Sequence, residues 1–204
     1  MDPILVKILQ ASSNNPEYKQ LADYLMSRRA YPDVALKYMP GKYGSFTSPG
    51  LFSDGKVPNR GIVSLNEAAK QWDPTQMAPT MTHELTHAAE KQMIKQYYEI
   101  KQKTNKTELE KQFLNNFQKI LGSSEGEIRN WIKQIAPEFA KQESDYRATA
   151  GEGLAFGVGN SAFEKTASDR PAPLHVDPTI ATMFGLLLDQ AQRVQNEQKQ
   201  SQGR

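Results

Sequence analysis

His83, Glu84 and His87 stand in the run His-Glu-Leu-Thr-His, which holds two of the chain's three histidines. On a helix, side chains four residues apart lie one above the other, so His83 and His87 can present imidazole nitrogens to a single ion. Glu84 follows the first histidine directly, and its carboxylate can reach a water on the open side of that ion. Two neutral nitrogen ligands and a base that takes a proton from water, then returns it to a leaving amine, are the parts that metal-assisted hydrolysis needs. A zinc ion held there would lower the pKa of its water to roughly 7. The plainer reading is a pair of histidines that face solvent or meet carboxylates on an ordinary helix.

Such a site requires a regular helix beneath it. Met77, Met81, Leu85, Ala89, Met93 and Tyr97 recur at four-residue steps, which predicts a helix over 74–101 with one buried side and Pro79 in its first turn. Upstream, residues 1–30 read as a helical lead-in. Asp2 is placed to cap a short helix that begins at Pro3, and Pro16 to Arg29 form a second, with Leu21, Tyr24 and Leu25 on one face. From 31 to 66 recurrent Gly and Pro allow only short strands and turns, the most strand-like being Gly61 to Asn66.

Downstream, Thr107 with Glu110 and Ser124 with Glu127 have capping-box spacing. A further helix is expected over 137–157, ended by Gly157 and Gly159. Asp177-Pro178 opens a last helix, 177–194, in which Ile180, Met183, Phe184, Leu187, Leu188, Ala191 and Val194 share a face. The polar stretch 195–204 has nothing to bury and is expected to be disordered.

The composition narrows the class. With 38% hydrophobic and 24% charged residues the chain suits a single globular domain, here 1–194. A net charge of only +2, with both signs mixed along the chain, gives no footprint for nucleic acid or a membrane surface. The absence of cysteine excludes disulfides and a thiolate site, so histidines and carboxylates must hold any metal. The N-terminus carries Asp2 where a signal peptide would carry positive charge, and Lys7 breaks its apolar run; no signal peptide and no membrane span are expected.

His83, Glu84 and His87, on a predicted helix downstream of a strand, resemble the active-site motif of the zincin metallopeptidases. The resemblance is tight over about ten residues around the motif and loose over 61–156. It implies a zinc-dependent peptidase, with an edge strand ahead of the helix that binds the substrate backbone by β-addition; Gly61 to Asn66 stands where that strand would be. The metzincin branch would need a glycine and a further histidine where this chain has Glu90 and Met93. The likeness is therefore to the gluzincin branch, in which a glutamate on a later helix completes the metal site. A weaker likeness to small zincins encoded by tailed phages would place the protein in a virion or an infected cell; otherwise a cytoplasmic location is expected.

For that third ligand Glu152 is favoured, because Gly151, Gly153 and Ala155 leave room for close approach to the active-site helix. Asp145 shares its helix face and could instead orient a ligand histidine. Glu143 falls on the opposite side of a regular helix. Glu143, Asp145 and His175 stay open as alternatives; the ordinary roles are an acid in a helix's first turn for Glu143 and a surface acid for Glu152. His175, in the loop Arg-Pro-Ala-Pro-Leu-His, could also act in catalysis as a hydrogen-bond donor to an oxyanion, with Tyr146 a weaker candidate for that role.

The expectation is thus a helix-rich α+β fold of minimal zincin-like type, with a small sheet packed on an active-site helix. Its substrate would be a peptide or protein, its cofactor Zn2+, its metal ligands His83, His87 and Glu152, and its base Glu84. The rival reading is a structural or interaction protein, such as a virion subunit in a larger assembly, with a structural or vestigial metal site.

Overall fold

The computed structural model describes residues 2–40, 43–47, 60–71, 73–119 and 178–202. The chain divides into two compact units, Met1–Gln92 and Met93–Arg204. The fold is helix-rich α+β, with a three-stranded mixed sheet in the first unit.

In the first unit, α1 (Pro3–Ser13) starts as its sequence predicts: the Asp2 side chain accepts from the Ile4 N–H at 2.8 Å, and Pro3 stands in the first turn, where it needs no partner for an N–H. Helix α2 (Pro16–Ser27) is capped by Asn15, whose Oδ1 accepts from the N–H groups of Glu17 and Tyr18. It ends just short of Arg29, which turns into the left-handed region at φ 55 and stops the helix there. Leu5 and Ile8 from α1 and Leu21, Tyr24 and Leu25 from α2 are buried in the core. Helix α1 lies against α2 and the first strand.

The sheet comprises β1 (Asp33–Lys37), β2 (Gly44–Thr47) and β3 (Ile62–Asn66), in the order β1-β3-β2. Strand β3 is parallel to β1, with Asp33 opposite Ile62, and antiparallel to β2, with Gly44 opposite Leu65. This corrects one expectation. The zincin likeness puts Gly61 to Asn66 at the edge of the sheet, whereas β3 is its centre, paired on both sides. The burial explains why: Val63, Ser64, Leu65 and Asn66 are all buried, so both faces of β3 are covered, whereas β1 and β2 keep partial exposure. Gly61, at φ 73, lets the chain enter β3 against Phe46; a β-carbon there would lie 2.5 Å from that ring.

Two short 3-10 turns, Glu67–Gln71 and Pro74–Met77, carry the chain from β3 to α3 (Ala78–Lys101). The predicted stripe is the buried side of this helix: Met77, Met81, Leu85, Ala89, Met93 and Tyr97 are all buried.

The second unit contains the last turns of α3, α4 (Glu108–Phe117) and α5 (Pro178–Gln202). Both halves of the predicted capping box form at α4. Thr107 Oγ1 accepts from the Glu110 N–H, and the Glu110 carboxylate accepts from the Thr107 N–H at 3.0 Å. Tyr97 and Phe117 stack with ring centroids 4.6 Å apart, and the Gln96 side chain donates to the Ala191 carbonyl of α5 at 2.9 Å in a buried contact. Helix α5 does not fray at Val194. It continues to Gln202, through most of the stretch expected to be disordered. Polar contacts hold it there: Thr107 Oγ1 donates to Glu197, and the Gln198 amide donates to Glu110 at 2.8 Å. Among the described residues no helix is long and apolar enough to cross a membrane.

Candidate metal centre

The motif occupies the second and third turns of α3, and that helix is anchored from below. Leu85, Ala88 and Ala89 are buried, and the two threonines of the run direct their hydroxyls back into the helix. Thr82 Oγ1 donates to the Ala78 carbonyl at 3.0 Å, and Thr86 Oγ1 to the Thr82 carbonyl at 2.9 Å. Both threonines are buried, and this back-bonding satisfies hydroxyls that would otherwise destabilise the core.

On the outer side, the Nε2 atoms of His83 and His87 are 3.2 Å apart, with ring centroids separated by 4.8 Å and planes at 81°. A tetrahedral zinc ion with Zn–N distances of about 2.0–2.1 Å holds two nitrogens about 3.3–3.4 Å apart. At 3.2 Å the pair stands close to that distance, slightly short of it. The same separation accommodates one imidazole N–H donating to the other ring. The donor set, two imidazoles on one helix face, fits a borderline-soft divalent ion such as zinc.

The Nδ1 atom of His87 points the other way, to Glu90 Oε2 at 3.9 Å. Both side chains are largely covered, with 17% and 15% of their surface exposed.

Glu84 is buried, and its carboxylate lies against the start of β2. A β-carbon on Gly44 would meet Thr80 Cγ2 at 2.6 Å and Glu84 Oε1 at 2.9 Å, so the strand approaches the helix this closely only because residue 44 has no side chain. Asn66, at the end of β3, fixes that approach. Its N–H donates to the Tyr43 carbonyl at 2.8 Å, and its side-chain amide donates to the Met39 carbonyl at 2.7 Å, which ties both ends of the β1–β2 connection.

The structure brings the Nε2 atoms of His83 and His87 together on α3 and places the Glu84 carboxylate against Gly44 at the start of β2. Glu152, Glu143, Asp145, Tyr146 and His175 lie outside the described residues. Among the described residues no group of three or more His, Cys, Asp or Glu side chains is placed to hold a metal ion. Two residues of the site were not singled out from sequence for the parts they have here. Glu90 was legible in principle, standing three residues beyond His87, the spacing at which helix neighbours meet. Gly44 was one of many turn-forming residues in its segment, and nothing local marked it as the one that faces Glu84. Comparison of the chain with protein-family models, with curated proteins and with solved structures finds no match.

Proposed function

We propose that the protein is a zincin-like, zinc-dependent peptidase in which His83 and His87 are metal ligands and Glu84 is the catalytic base. One observation carries this reading: two Nε2 atoms converge at 3.2 Å on the face of a helix whose intervening Glu84 carboxylate lies buried against a sheet-edge strand. Glu152 is the residue proposed for the third ligand position, from its small neighbours in the sequence. When bound, zinc supplies Lewis acidity, which polarises the scissile carbonyl and makes an attacking water more acidic.

The chain's own groups do the rest. His83 and His87 would hold the ion through Nε2, the atoms that lie 3.2 Å apart. Glu84 accepts a proton from the attacking water and delivers it to the leaving amine, so that hydroxide attack and amine departure share one carboxylate. Strand β2 has β3 on one side only, and among the described residues no strand pairs with its other edge. An extended peptide added along that edge would run past Gly44 and so past Glu84, with main-chain hydrogen bonds holding it in register.

The test is zinc content and peptide hydrolysis of the purified protein beside His83→Ala and Glu84→Gln. The wild type is expected to hold about one zinc per chain and His83→Ala to lose it. Glu84→Gln is expected to keep its zinc and lose turnover, since it removes the base and leaves the ligands. A wild type that takes up no zinc on reconstitution would overturn the metal site, and hydrolysis retained in Glu84→Gln would overturn the role of the base.

A further inference from the structure

We propose that Glu90 is a positioning residue for His87, accepting a hydrogen bond from Nδ1–H so that Nε2 is left with its lone pair toward the ion. The inference rests on the metal reading above and goes beyond the motif itself, because Glu90 belongs neither to the ligand pair nor to the proton relay.

Glu90 is one turn beyond His87, and its carboxylate keeps only 15% of its surface exposed. Among the described residues its one partner is His87 Nδ1. Toward a ligand histidine the placement makes sense. A neutral imidazole carries one proton on two nitrogens, and the group that meets one nitrogen decides which of them is free to bind a metal. Here the two nitrogens of His87 are divided: Nε2 meets His83 at 3.2 Å, and Nδ1 meets Glu90. Among the described residues Glu90 does not join the two imidazoles in a group of three that could hold an ion. The separation of 3.9 Å is longer than a hydrogen bond, so the proposed bond requires the Glu90 carboxylate to come closer to the ring than it stands here.

The test compares the wild type with Glu90→Ala and Glu90→Gln, reading zinc affinity by competition with a chelator and the His87 tautomer by nitrogen-15 NMR of the metal-free proteins at about pH 8, where free imidazole is neutral. In the wild type the Nδ1–H tautomer of His87 is expected to dominate. Glu90→Ala is expected to lose that preference and to bind zinc about 10–100-fold more weakly. Glu90→Gln, whose amide oxygen can still accept from Nδ1–H, is expected to recover much of both. If the wild type binds zinc and Glu90→Ala binds it equally well with an unchanged tautomer, this inference falls and the metal site stands. If the wild type binds no zinc, the metal reading falls and this inference with it.

Discussion

Gly44 and Glu84 are in such close register that a β-carbon on the glycine would lie 2.9 Å from Oε1 and 3.1 Å from Cγ of the glutamate. The contact couples the sheet edge to the proposed base, and it makes the glycine a determinant of where that carboxylate sits. The backbone of Gly44 is not in the left-handed region, so alanine there suffers from contact alone and not from an unfavourable φ. Gly44→Ala is expected to displace Glu84 and to lower turnover by about 10²-fold, the scale of effect when a catalytic group is misplaced by about 1 Å. Zinc content should stay at the wild-type level, because the atoms the added carbon meets belong to Thr80 and Glu84 and not to the imidazoles. Zinc analysis and peptide hydrolysis on the same preparation check this, and full activity in the variant would remove Gly44 from the site.

What was legible in the sequence was local. The stripe from Met77 to Tyr97, the cap at Asp2 and the capping box of Thr107 and Glu110 each depend on neighbours within a turn or two, and each appears where its spacing puts it. The order of the strands was not legible. The composition of Gly61 to Asn66 marks a strand, yet whether it is central or at the edge depends on pairing with residues 33–37 and 44–47, which no local pattern encodes. The polar end of α5 failed for a related reason. Its helix is held by side chains that reach Thr107 and Glu110, far away in sequence, and a search for an apolar stripe cannot register such contacts. Of the site, the histidine pair was legible because helical spacing alone brings its two rings together; the closeness of Gly44 to Glu84 was not, because it is a contact between a strand and a helix.

Glu110 gives a pH prediction for the second unit. Burial pushes its carboxyl up, but hydrogen bonds from Lys103, Gln198 and the Thr107 backbone, together with the Lys103 charge, outweigh that and hold it below the usual carboxylate range. A lowered pKa in the folded state means that the carboxylate contributes stability above the unfolded value of about 4.3. That contribution is lost as the pH falls from there through the folded pKa. Thermal melts from neutral to acidic pH should therefore show the wild type losing stability at acid pH more steeply than Glu110→Gln, which has no proton to gain. Parallel curves for the two proteins would exclude Glu110 as a source of the acid sensitivity.

The end of α5 offers a separate test of how the helix is held. Ending the chain after Val194 removes both Glu197 and Gln198, the residues that meet Thr107 and Glu110. The two contacts are not equal. The Thr107–Glu197 hydrogen bond is exposed, and water replaces it at little loss. The bond from Gln198 reaches a carboxylate that is only 1% exposed, and hydrogen bonds to charged groups are worth about 1.5–3 kcal/mol. Truncation is accordingly expected to lower the unfolding free energy by about 1–3 kcal/mol. Gln198→Ala in the full chain should reproduce most of that loss, and Glu197→Ala only a small part. Urea unfolding of the three proteins beside the wild type measures it. A truncated chain with an unchanged midpoint would mean that α5 is held by its apolar face alone, through Phe184, Leu187, Leu188, Ala191 and Val194, which are buried ahead of the cut.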